Sequence, residues 1–254
     1  MLIEFVPAQV FAHILVFARI GSALMVMPAF GESYIPVQVR LLFALLTTLL
    51  LTAIVQPDLP PLPASFLALV LLLTGEILVG LFIGTLARIL MSALATAGTV
   101  ISFLTGFASA MLFNPALGDQ GALTSVFLSL LGVLLVLVTD THHIMIMGLV
   151  DSYVVFRPGA APIFGDMADA MARMVADSFR IGLQIASPFM VVMVLFFTAM
   201  GLMARLMPQM PVFFVGLPIQ IVLGLSVLSM TLGTAMGWFL GHFEDSFTSL
   251  LRVR

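Results

Sequence analysis

The sequence predicts an all-α membrane protein made of long hydrophobic helices. Three observations carry that prediction. Of 254 residues, 62% are hydrophobic and only 8% are charged, against roughly a quarter charged in soluble domains. Mean hydropathy is +1.25. Apolar runs recur at the length of about 20 residues that a bilayer requires. Two of them, Ile181 to Ala204 and Leu206 to Phe243, contain no formal charge. A soluble fold of this length could not bury so much apolar surface. The composition also excludes other classes. There is no cysteine, hence no disulfide and no thiolate metal site. The net charge of −3 argues against nucleic-acid binding. All nine basic residues are arginine.

The elements follow in order. The N-terminus, MLIEFVPAQV, lacks the basic region and small-residue cleavage pattern of a signal peptide, so the first run, about 9–28, is expected to be a retained span. It carries His13 and Arg19. Further spans are expected at about 37–56, 65–90, 91–113, 121–139, 181–204 and 212–241, seven in all. Pro-Asp-Leu-Pro-Pro-Leu-Pro (57–63) is a short, stiff connection. The polar segment 140–180 holds five Asp and three Arg. Within it, Met167, Met171, Met174, Val175 and Phe179 have the spacing of an amphipathic helix on a surface. If the other arginines lie on the cytoplasmic side, seven spans place Arg205 on the wrong one, so Arg205 is no simple topology signal. Prolines at 208 and 211 predict a turn between the last two runs, and Pro218 predicts a kink.

Several residues could carry a role. Glu76 stands mid-run, where an ionised group at the bilayer centre costs roughly 3 kcal/mol. Arg88 lies about 18 Å further along a helix, so each charge needs a partner on another helix, on another subunit or in water. A proton or ion relay is one reading; a satisfied charge at a helix interface is the other. Gly80 and Gly84 form a GxxxG pair on the face of Glu76, and Gly233, Gly237 and Gly241 form a longer strip; both predict close helix packing. Gly106 to Gln120, GFASAMLFNPALGDQ, is a strongly apolar loop interrupted by Asn114-Pro115. Within a membrane such backbone survives only where protein buries it or where it lines a cavity. It reads either as a deformable plug presenting Phe107, Met111, Leu112 and Phe113, or as a plain connection packed into the interior. Asp140, His142 and His143 invite a metal reading, but adjacent histidines point apart on a helix and no second cluster completes a site, so a helix end is expected there and no metal. The 18 Met and 22 Phe read as gap-filling in an irregular apolar core. No nucleophile elbow, P-loop or HExxH motif is present, so neither an enzyme nor a cofactor is expected.

Four stretches together resemble a known family: MPAFGESYIPVQVR (27–40), GEILVGLFIG (75–84), the apolar loop after Ser102, and RLMPQMPVFFVGLPIQI (205–221). Their order and spacing resemble the FliR/SctT family of type III secretion export-gate subunits across nearly the whole chain. Pro211 departs from it, standing where the family usually has Asn. The resemblance implies a FliP-like part over about 1–184, with the re-entrant loop at 106–120, and a FliQ-like hairpin over about 185–254. It implies long kinked helices, FliP, FliQ, FlhB and FlhA as partners in the bacterial inner membrane at the flagellar basal body, and a pore for unfolded flagellar proteins. The plug would then comprise Gly106, Phe107, Met111, Leu112, Phe113, Asn114 and Pro115. Glu76, Arg88 and Arg205, with Pro208 and Gln209, would serve as buried charges or subunit contacts. The rival is a secondary transporter of a small solute using Glu76 and Arg88.

Overall fold

The computed structural model describes residues 2–107, 123–160, 164–209 and 212–251. Among these, the regular elements are seven α-helices and one 3₁₀ turn. The helices are α1 Leu2–Val26, α2 Val37–Val55, α3 Phe66–Leu104, α4 Leu123–Val138, α5 Thr141–Val155, α6 Phe164–Leu206 and α7 Val212–Leu251. The 3₁₀ turn, Gln56–Asp58, follows α2 and leads into the proline-rich connection.

Seven separate spans are not what forms. Among the described residues, five helices are long and apolar enough to cross a membrane, or six if α4 and α5, which meet at a 76° bend, count as one broken span. The difference has a physical cause. Residues 65–90 and 91–113 were expected as two spans, but no proline lies between Phe66 and Leu104, so one 39-residue helix runs through. Likewise the amphipathic stretch 166–180 and the span after it are one helix of 43 residues. Pro188 does not end that helix. Proline cannot donate to the carbonyl four residues back. That carbonyl, Gln184, instead accepts from the Ser187 hydroxyl at 2.8 Å. The last helix likewise continues through Pro218.

The chain forms two compact units, each discontinuous in sequence: 1–90 with 136–174 and 243–254, and 91–135 with 175–242. In the first, α1 supplies much of the buried core: Leu15, Val16, Ile20 and Ala23, with Met27 just past its end, are wholly inaccessible. Close approach to α3 is possible because Gly80 and Gly84 lack side chains. A Cβ at Gly80 would collide with the Arg19 carbonyl and the Ser22 hydroxyl, and one at Gly84 would lie 2.6 Å from the Ala23 carbonyl. In the second unit, glycines again set the contacts. Gly98 of α3 lies against the Ser125 backbone of α4, and Gly182 of α6 against the Ala93 carbonyl, 2.9 Å from where its Cβ would be. Ser125 completes the α3–α4 contact by donating to the Ala95 carbonyl at 3.0 Å.

Candidate functional site

Two constructions hold chemistry: a buried charge network in the first unit and the base of the apolar loop in the second.

Arg19 and Glu76 are almost entirely shielded, at 1% and 3% exposure. Their contact is the two-pronged one that a planar guanidinium makes with a carboxylate. Arg19 Nε donates to Glu76 Oε2 at 2.6 Å and Nη2 to Oε1 at 3.1 Å. The remaining donors reach α5. Nη1 meets Ser152 Oγ at 3.2 Å, and Nη2 the Phe156 carbonyl at 2.8 Å. Ser152 in turn donates its hydroxyl hydrogen bond to the Leu149 carbonyl at 2.6 Å. Phe156 caps the C-terminus of α5, the end of a helix that carries partial negative charge and attracts cations. The Tyr153 ring lies under the guanidinium, 3.9 Å away, a cation–π contact. One arginine thus ties α1, α3 and α5 together. A cavity of about 1160 Å³ opens beside the pair, walled by Pro61, Phe82, Phe156 and Arg157 among others.

Arg88 also has a partner in the chain. It donates to Glu32 at 3.3 Å, but it is 47% exposed, so it is a surface pair and not a buried charge. Nearby Tyr34 has its phenol raised above the usual range, first by partial burial and then by the Glu32 charge. Glu76 and Arg88 are therefore both matched inside the chain, each by a different helix or connection. Arg205 differs. It is exposed, stands in the last turn of α6, and has no ion-pair partner among the described residues. Pro208 and Gln209 beside it are exposed as well. Pro211 lies outside the described residues. The two glycine groups also part company. Gly80 and Gly84 pack on α1, whereas among the described residues Gly233, Gly237 and Gly241 have nothing within 4 Å of where a Cβ would be.

Of the expected plug, Gly106 and Phe107 are described; Met111, Leu112, Phe113, Asn114 and Pro115 lie outside the described residues. The visible part is the loop's base. α3 ends with Thr105 N–H bonded to the Ile101 carbonyl at 2.9 Å. Gly106 then turns left-handed, φ 78°, a conformation open to glycine at little cost. The last carbonyls of a helix lack internal partners. One of them, Leu104, accepts from Gln220 Nε2 of α7 at 2.7 Å. Gly224, one turn beyond Gln220, lets α7 close on the Thr105 side chain. Phe107 is half-buried. Sequence reasoning missed Gln220. The signal was present as Gly216, Gln220 and Gly224 at intervals of four, one face of one helix.

The family model for bacterial export proteins, family 1, matches residues 10–246. The chain belongs to that family. Among its members, the flagellar biosynthetic protein FliR of Caulobacter vibrioides is 41% identical over 246 residues, 96% of each chain. FliR of Bacillus subtilis is 32% identical over 222 residues, 85% of this chain and 84% of that one. The Yop proteins translocation protein T of Yersinia pestis is 27% identical over 165 residues, 63% of this chain and 62% of that one. As a member of the export family with several apolar helices long enough to span, the chain is a multi-pass membrane protein.

Proposed function

We propose that the chain is a structural and gating subunit of the flagellar type III protein export gate, set in the bacterial inner membrane. The observation that carries this reading is the similarity to FliR over 96% of both chains. In this role it does no chemistry on its cargo. It lends helices to a pore wall and a loop to the pore, and unfolded flagellar proteins pass through. FliP, FliQ, FlhB and FlhA are the partners this reading names. This reading takes 1–184 as a FliP-like part and 185–254 as a FliQ-like hairpin.

The loop base supports a gating role on physical grounds. A plug must yield without losing its place. Gly106 supplies the turn, and Gln220 holds the Leu104 carbonyl at the end of α3. Beyond that anchor the loop carries Phe and Met side chains, whose contacts are non-directional and adaptable. Such a seal blocks ions and gives way to a polypeptide. The test is deletion of residues 108–115 in the assembled gate. Membrane conductance to small ions rises if the loop seals the pore; unchanged conductance together with unchanged secretion refutes the gating role.

The small-solute transporter is disfavoured by the charges themselves. A coupling site needs an ionisable group free to meet its solute or ion. Arg19 and Glu76 are engaged with each other and with α5, and Arg88 sits at the surface with Glu32.

A further inference from the structure

We propose that Asp140, His142 and His143 form a divalent transition-metal site at the bend between α4 and α5, with Zn²⁺ as the fitting ion. Adjacent histidines on a regular helix diverge, and on that ground no site was expected. The structure arranges them otherwise. Asp140 takes a left-handed conformation, φ 60°, and serves as the N-cap of α5. It stands where the chain turns through 76°. Its Oδ1 lies 3.6 Å from His143 Nδ1. The His142 and His143 rings lie 4.2 Å apart at a tilt of 34°. One ligand atom from each of the three residues falls within 4.8 Å of the others.

A second observation comes from outside the cluster. His142 Nδ1 faces the Val136 carbonyl at 3.4 Å. In the tautomer whose Nδ1–H donates there, the lone pair is on Nε2. This is how metal-binding histidines are commonly oriented: one ring nitrogen to a backbone carbonyl, the other to the ion. The Phe30 ring meets the same imidazole edge-on at 6.5 Å. Val136 belongs to the last turn of α4, whose carbonyl end favours a cation. That offsets the opposite preference of the α5 N-terminus, and Asp140 adds a full negative charge.

The donor set selects the ion class. Two imidazoles and a carboxylate suit Zn²⁺, and three protein ligands leave a fourth position for water. Zn–N and Zn–O bonds near 2.1 Å place tetrahedral ligands roughly 3.4 Å apart, so ligand atoms up to 4.8 Å apart must close by as much as about 1.4 Å. Asp140 and His143 are 76% and 64% exposed and can rotate to do so. Because the ligands straddle the start of α5 and one is tied to α4, a bound ion would fix the bend.

The test uses the full-length chain in detergent, without a histidine tag, stripped by chelator and dialysed against micromolar Zn²⁺. The expected result is one Zn²⁺ per chain. His143→Ala should bind Zn²⁺ about tenfold more weakly or worse. Asp140→Asn, which keeps a residue tolerant of the left-handed turn, should also weaken binding. With Co²⁺ in place of Zn²⁺, the visible bands of a tetrahedral site should appear in the parent and fade in both variants. Replacing the two distant histidines, His13→Gln and His242→Gln, should leave binding unchanged. Equal binding by His143→Ala, Asp140→Asn and the parent, or no binding by the parent, overturns the proposal.

Discussion

Arg19 is the residue on which the most bonds converge. Breaking a buried ion pair from one side leaves an uncompensated charge and costs about 3–5 kcal/mol, whereas replacing both partners by apolar groups is often neutral. Arg19→Ala is therefore expected to be severely destabilising, and Arg19→Leu with Glu76→Leu much less so. Thermal aggregation of the two purified variants in detergent measures the difference; equal loss would mean that the bonds to Ser152 and Phe156 matter more than the charge. The need for a partner to Glu76 was legible in the sequence, since a charge at that position cannot face lipid. Its identity was not, because Arg19 lies 57 residues away and the spacing of residues says nothing about which helices meet. His142 and His143 show the same limit differently: adjacent in α5, they still bring their rings to 4.2 Å, which residue spacing alone does not reveal.

At the scale of elements, α2 reads inside out. Its inward residues include Thr47, Thr48 and Thr52, while Leu41, Leu42, Leu45, Leu46, Leu49 and Leu50 are exposed. The inner hydroxyls are not stranded: Thr48 donates to the Ala44 carbonyl and Thr52 to Thr48, each at 2.7 Å. In lipid, helix association gains nothing from hydrophobicity, so small and polar residues line the contacts and leucines face out. The glycine spacing in α3 correctly signalled close packing. It could not show that Gly80 and Gly84 meet α1 while the strip in α7 stays open among the described residues. Gly80→Ala should separate α1 from α3, because the intruding carbon meets a backbone carbonyl that cannot rotate away. The expected loss is on the order of 1–3 kcal/mol, the cost of overpacking. It should appear as a lower unfolding temperature in detergent; a variant as stable as the parent would mean that the contact is looser than described. Helix boundaries were the least legible feature. Apolar composition alone does not say where one span ends, and without a breaker the chain simply continues through residue 90.

For the whole molecule, length decides. Helices of 39, 43 and 40 residues extend about 58–65 Å at 1.5 Å per residue, twice the roughly 30 Å hydrocarbon core. Their apolar flanks must be covered by something besides lipid, and neighbouring subunits are what the proposed gate supplies. Arg205 lies at the end of the longest helix, exposed and without an ion pair among the described residues. Arg205→Ala is expected to leave membrane insertion intact and to weaken co-purification with the partner subunits; recovery of partners at the parent level would remove Arg205 from any interface. The Gln220 anchor adds a constraint in time. Leu104 waits for a side chain made 116 residues later. At synthesis rates of about 5–20 residues per second, the base of the loop stays unheld for roughly 6–23 seconds after it leaves the ribosome. An apolar segment that must not stray in a growing membrane protein is thus secured only when its last helix arrives. A chain truncated before α7 would have a loop with no fixed root, and a cell would have good reason to degrade it before it reached an assembling pore.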